Sequence, residues 1–123
     1  MSDSIQRMAT RCAARVDSDG MRFDPLTILT IFTQVLPLLM NCLQTRSTAP
    51  TTEAMCDYIR REHADNPRKL QKRIAGRIRG EADYKMTKEE AYALADAVIA
   101  EGLAEQDDTE VRTFMAACAA YGI

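Results

Sequence analysis

Few side chains in this 123-residue chain have a type and spacing that could do chemistry. His63 is the one histidine, and the four cysteines, Cys12, Cys42, Cys56 and Cys118, stand far apart with no Cys-x-x-Cys pair. A metal needs several ligands at short spacings, and a nucleophile needs a base within hydrogen-bond reach. Neither pattern surrounds His63. Its place just before Asp65-Asn66-Pro67 is that of a cation near a helix C-terminus, which the macrodipole favours. The cysteines read as small apolar residues at helix core positions, with free thiols in a reducing compartment.

Two other acidic features fail as sites. Asp17-Ser18-Asp19-Gly20 suggests a calcium loop if Gly20 is aligned with its invariant glycine. The first ligand position then holds Arg15 and the bidentate-glutamate position holds Leu26, so two principal ligands are missing. A turn is the better reading. Glu89-Glu90 and Asp107-Asp108 are adjacent carboxylates. Neighbours on a helix point about 100° apart and do not converge on one proton. Both pairs fall at expected helix N-termini, where free N–H groups favour acids. The five glycines are scattered and form no phosphate-binding loop. The expectation is a non-enzymatic protein with no cofactor and no metal.

Charge is more informative. The chain carries a net −2, but residues 60–79 hold eight Arg/Lys against two acids, a net of +6. Residues 89–123 hold eight acids against Arg112, a net of −7. Such a separation points to complementary faces within the fold or between copies. The basic candidates are Arg68, Lys69, Lys72, Arg73, Arg77 and Arg79, spread around a helix whose inner side is Leu70, Ile74 and Ile78. They could neutralise phosphates of nucleic acid or of an anionic membrane, although no aromatic residue stands among them for base stacking.

The elements that must position these residues are helices. The composition is rich in Ala, Leu, Met, Lys, Glu and Arg, and lacks β-branched runs of period two. Residues 4–16 form an amphipathic helix with Ile5, Met8, Ala9, Cys12 and Val16 inward and Arg7, Arg11 and Arg15 on another side. Asp24 and Pro25 open a long helix to about Gln44. Residues 46–52 form a linker. Four charged helices follow: one to about Ala64, one from Pro67 that Gly80 ends, one opened by a Thr87–Glu90 capping box, and one over 109–120. The expected organisation is 1–45, the linker, and 53–123 packed on the apolar helix as one structural unit. The fold class is all-α: a small bundle of about six helices with one long, very apolar central helix.

That helix, 24–44, has no charge between Asp24 and Arg46. Thr27, Thr30, Gln34, Pro37, Asn41 and Gln44 recur along it at spacings of 3, 4, 3, 4 and 3, a polar stripe that leaves the helix two environments. Thr27, Thr30, Gln34, Asn41 and Gln44 are the candidate interaction residues. Pro37 frees the carbonyl of Thr33 and bends the helix there. Its length of about 20 residues would also permit a membrane span. Leu39–Cys42 is a poor lipoprotein box, with Asn41 before the cysteine and a long acidic segment ahead. The leading expectation is a helical assembly or interaction protein that self-associates or docks into a larger complex, cytoplasmic or within a particle, with membrane association as a variant. The alternatives are a nucleic-acid-binding module using 60–79 and a membrane-inserted or pore-forming protein using 24–44.

Overall fold

A computed structural model describes residues 3–18, 26–32, 52–81, 85–105 and 107–119. These form six helices and, among the described residues, no strand. They are α1 (Asp3–Ser18), α2 (26–32), α3 (Thr52–Asp65), α4 (Pro67–Glu81), α5 (Lys88–Ala104) and α6 (Thr109–Ala119). The all-helical bundle expected from composition is therefore the fold.

The α1 helix buries Ile5, Met8, Ala9, Cys12, Ala13 and Val16 as one stripe. Each large side chain in that stripe contributes about 1.5–3 kcal/mol by leaving water. Asn66 alone separates α3 from α4. Its N–H donates to the Glu62 carbonyl at 2.7 Å, and its own carbonyl accepts from Leu70 N at 3.3 Å. Pro67 follows as the first residue of α4, where a missing N–H costs nothing. The Thr87 capping box is formed as expected: Glu90 N donates to Thr87 Oγ1 at 3.1 Å, and Thr87 N donates to Glu90 Oε1 at 2.8 Å. Gly80 does not end α4, which continues through Glu81.

Among the described residues, the central helix is α5. It lies against α4 and α1 and also touches α6, while α3 packs chiefly on α6. Ala91, Leu94, Ala95, Ala97, Val98, Ile99, Glu101 and Gly102 are all buried on it. Alanine and glycine make this crowding feasible, because small side chains let several neighbours approach one axis. The expectation of a long, apolar central helix over 24–44 is thus not met among the described residues. Ile28, Ile31 and Phe32 of α2 are buried, and Phe32 meets Phe114 of α6 with ring centroids 5.0 Å apart. Residues 33–44 lie outside the described residues. Among those described, no helix is long and apolar enough to cross a membrane. The extra apolar surface that the C-terminal helices need comes from α1 as well as α2, and all six helices contribute to one hydrophobic cluster.

Two glycines on these helices have opposite surroundings. A Cβ built on Gly102 would fall 2.4–2.8 Å from the side chain of Met115, so α5 and α6 meet there without room for a methyl group. A Cβ on Gly76 would have nothing within 4 Å. Gly76→Ala should therefore raise stability by about 0.5–1 kcal/mol, the ordinary helix cost of glycine. Gly102→Ala should lower it by about 1–2 kcal/mol, overpacking outweighing the propensity gain. Urea denaturation midpoints measure both, and shifts of the same sign would contradict the packing described.

Candidate functional site

His63 and the cysteines do not converge on one site among the described residues. His63 is exposed in the last turn of α3. Cys12, Cys56 and Cys118 are buried free thiols. Burial pushes the Cys12 thiol far up, and the nearby Glu101 carboxylate adds to the effect. Burial likewise holds Cys118 up at about 12. Neither is a thiolate at neutral pH, so neither is set up as a nucleophile. Cys56 donates to the Arg112 carbonyl, Sγ to oxygen 3.6 Å. No group of three or more His, Cys, Asp or Glu suits a metal among the described residues. Residues 19–24 of the calcium-like turn, and Cys42, lie outside them. A pocket between α3, α5 and α6, lined by Cys56, Ile59, Gly102 and Met115 among others, holds about 20 Å³, room for about one water.

Charge organises the surface. Along α1, Arg7, Arg11 and Arg15 stand at successive i+4 positions and face three acids at the end of α5 and the start of α6. Arg15 Nε donates to Glu101 Oε1 at 2.7 Å. Arg11 pairs with Glu105 and lies 4.0 Å from Glu101 Oε2, and Arg7 lies 3.9 Å from Asp108. Glu101 is only 8% exposed, so its carboxylate is a buried charge held by α1. Asp108 also caps α6. Its Oδ1 accepts from Glu110 N at 3.0 Å and Val111 N at 3.1 Å, and its Oδ2 accepts from the Ser4 hydroxyl. The Ser4 hydrogen bond, then the Val111 amide, hold the Asp108 carboxyl below the usual range.

Three acids of the C-terminal segment, Glu101, Glu105 and Asp108, therefore answer α1, while Asp96 lies against the basic helix. On α4 the six basic candidates divide. Arg77 is 7% exposed, with its charge near Cys118. The reason is its spacing: it stands seven residues after Leu70 and three after Ile74, on the inner side. Arg77 is therefore not part of the basic surface expected of it. Arg73 is half-buried against α3, its Nη1 donating to Tyr58 Oη at 2.8 Å and its guanidinium 5.0 Å from that ring's centroid. Arg68, Lys69, Lys72 and Arg79 are exposed, and none has an ion-pair partner among the described residues. Beside them runs an open groove of about 450 Å³ between α4 and α5, lined by Pro67, Arg68, Gln71, Lys72, Tyr92 and Asp96. Gln71 Nε2 donates to Asp96 Oδ2 at 2.9 Å across it, and Lys88 Nζ lies 5.7 Å from the Tyr92 centroid.

Of the polar stripe on the apolar segment, Thr30 is exposed and donates to the Leu26 carbonyl at 2.8 Å, and Thr27 is partly exposed. Gln34, Asn41 and Gln44 lie outside the described residues. Asp108 stands at the helix N-terminus expected of it, but sequence reasoning missed Glu101, Ser4 and the pairing of these acids with α1. A signal was available: acids at 101, 105 and 108 follow helical spacing, as do arginines at 7, 11 and 15. It also missed Tyr92 and Lys88, which join the basic face only through the α4–α5 packing.

Because the folded carboxyl of Asp108 ionises more readily than the unfolded one, the unfolded chain takes up its proton first as pH falls. The contribution of this group is whole above the usual carboxylate range, near pH 4, and is lost as pH drops through the folded value. Thermal midpoints between pH 6 and pH 2 should fall more steeply in the wild type than in Asp108→Asn. Parallel curves would show that the Ser4, Glu110 and Val111 contacts do not favour the ionised form.

No known protein family, curated protein or solved structure matches this chain, so its function has to be read from these side chains.

Proposed function

We propose that this is a non-enzymatic helical interaction protein that docks into a larger assembly, in the cytoplasm or within a particle, through the basic face of α4. One observation carries the reading. The arginines of α1 take up Glu101, Glu105 and Asp108, which leaves Arg68, Lys69, Lys72 and Arg79 open on one helix. Like charges so close together repel, and among the described residues no ion pair offsets them. An anionic partner is what such a face fits. Amine-reactive labelling tests this: in extract of the producing cells, Lys69 and Lys72 should label several-fold more slowly than in the purified protein, with Lys85 as the internal reference. Equal rates in extract and in buffer would defeat the proposal.

A second contact, with another copy of the chain through the segment 24–44, is favoured by Leu26 of α2. It is 72% exposed and is the one large hydrophobic residue left open among those described. The apolar length of 24–44 and its polar stripe, Thr27, Thr30, Gln34, Asn41 and Gln44, fit the same role. Light scattering across a hundredfold range of protein concentration should give a rising mass that Leu26→Glu suppresses. A wild-type monomer throughout the range, with or without detergent, would dispose of self-association and of membrane insertion together.

A further inference from the structure

The partner of the α4 face can be named by its chemistry. Arg68, Lys72 and Arg79 form one rank, at i, i+4 and i+11, with Lys69 beside it. At about 1.5 Å of rise per residue the rank is about 16 Å long. Gly76 falls inside it, between Lys72 and Arg79, exposed and with open space where a side chain would stand. The rank is therefore flat at its middle. Across the groove α5 contributes Tyr92 and Asp96, the latter held by Gln71, and Lys88 Nζ lies 5.7 Å from the Tyr92 ring centroid.

Three features separate nucleic acid from an acidic protein as the occupant. First, the face offers no apolar anchor. Arg68, Lys69, Lys72, Gly76 and Arg79 are its exposed residues, and the groove adds only Pro67 and the half-buried Tyr92 to polar side chains. Protein interfaces gather their affinity from buried aromatic and aliphatic anchors and are depleted in lysine. Phosphate contacts need neither. Second, Arg68 and Lys69 stand in the first turn of α4, which holds no acid. Cations there oppose the helix macrodipole, and an occupant of high charge density relieves the conflict better than a scattered set of carboxylates. Third, Gln71, the amide side chain that lines the groove, is engaged by Asp96, so it is not presented for reading bases.

We propose that Arg68, Lys69, Lys72 and Arg79, with Lys88, bind the phosphodiester backbone of nucleic acid without reading its sequence. This rests on the interaction reading above and supplies its partner. Gly76 lets the strand lie close to the helix between two cations, and the Tyr92 ring gives the groove a flat surface beside it.

The test uses the purified full chain with a random-sequence 20-nucleotide strand and its duplex, by fluorescence anisotropy from 25 to 200 mM salt. Binding in the micromolar range is expected at the lowest salt. Its log–log salt slope should be about −4 for the duplex, from four to five phosphates at about −0.9 each. Preference for strand or duplex identifies which source of phosphates the face accepts. Arg68→Ala with Lys72→Ala should weaken binding roughly tenfold or more and reduce the slope by about 2. Both side chains are exposed, so an unchanged thermal midpoint shows that the variant is folded. No binding of either probe at 25 mM salt, or unchanged binding by the folded double variant, overturns the proposal. Competition by polyglutamate at equal charge concentration also overturns it, in favour of an acidic protein. Nuclease treatment of the extract separates this inference from the reading beneath it. Lys69 and Lys72 should regain their free labelling rate. Protection that survives nuclease keeps the interaction reading and removes nucleic acid as the partner.

Discussion

A buried carboxylate at the end of the central helix sets the terms for the rest of the structure. Glu101 sits near the C-terminus of α5, where the macrodipole is negative, and almost entirely out of water. Both conditions disfavour its charge. What makes the position tenable is the guanidinium of Arg15 at 2.7 Å, with Arg11 behind it. Arg15 keeps about half of its side chain in solvent, so only one partner of the pair bears the full desolvation penalty. The pair fixes how α1 lies on α5. Once Arg15 is placed, helical spacing brings Arg11 to Glu105 and Arg7 to Asp108. Asp108 in turn presents its other oxygen to the first amides of α6.

From that arrangement follows the asymmetry of the surface. The acids at the end of α5 and the start of α6 answer one row of cations, and geometry awards them to α1. The basic residues of α4 are sorted by the same helix periodicity that builds the core: Arg77 turns inward, Arg73 lies against Tyr58, and the remainder face solvent. A chain whose net charge is only −2 thereby acquires a concentrated basic face, because charge is distributed by packing and not by composition.

Much of this was legible before folding. Local rules place the start of α4 after Asn66, the Thr87 capping box and the inward residues of α1, because each depends on neighbours within about one helical turn. The central place of α5 is not legible, because the most apolar stretch of the sequence, 24–44, points elsewhere. Among the described residues α5 holds that place with small side chains: Ala91, Ala95, Ala97 and Gly102 let neighbours approach it closely. Arg77 was assigned by its charge when its seven-residue distance from Leu70 already put it inside. The pairing of α1 with the end of α5 could not be read locally. It joins positions about ninety apart, and nothing short of tertiary packing selects the α1 arginines over those of α4 as partners for the same acids.

Ser4 donates to a carboxylate 104 positions further along the chain. On the ribosome, α1 therefore emerges long before the segment that completes its seat, and Ile5, Met8 and Val16 remain without α5 and α6 until those helices have been made. Closing so large a loop is a late, entropically demanding event. The nascent chain must keep an amphipathic helix soluble meanwhile, and its row of three arginines is well suited to that. The side chains that lock the finished bundle can also serve, during synthesis, to delay its premature association.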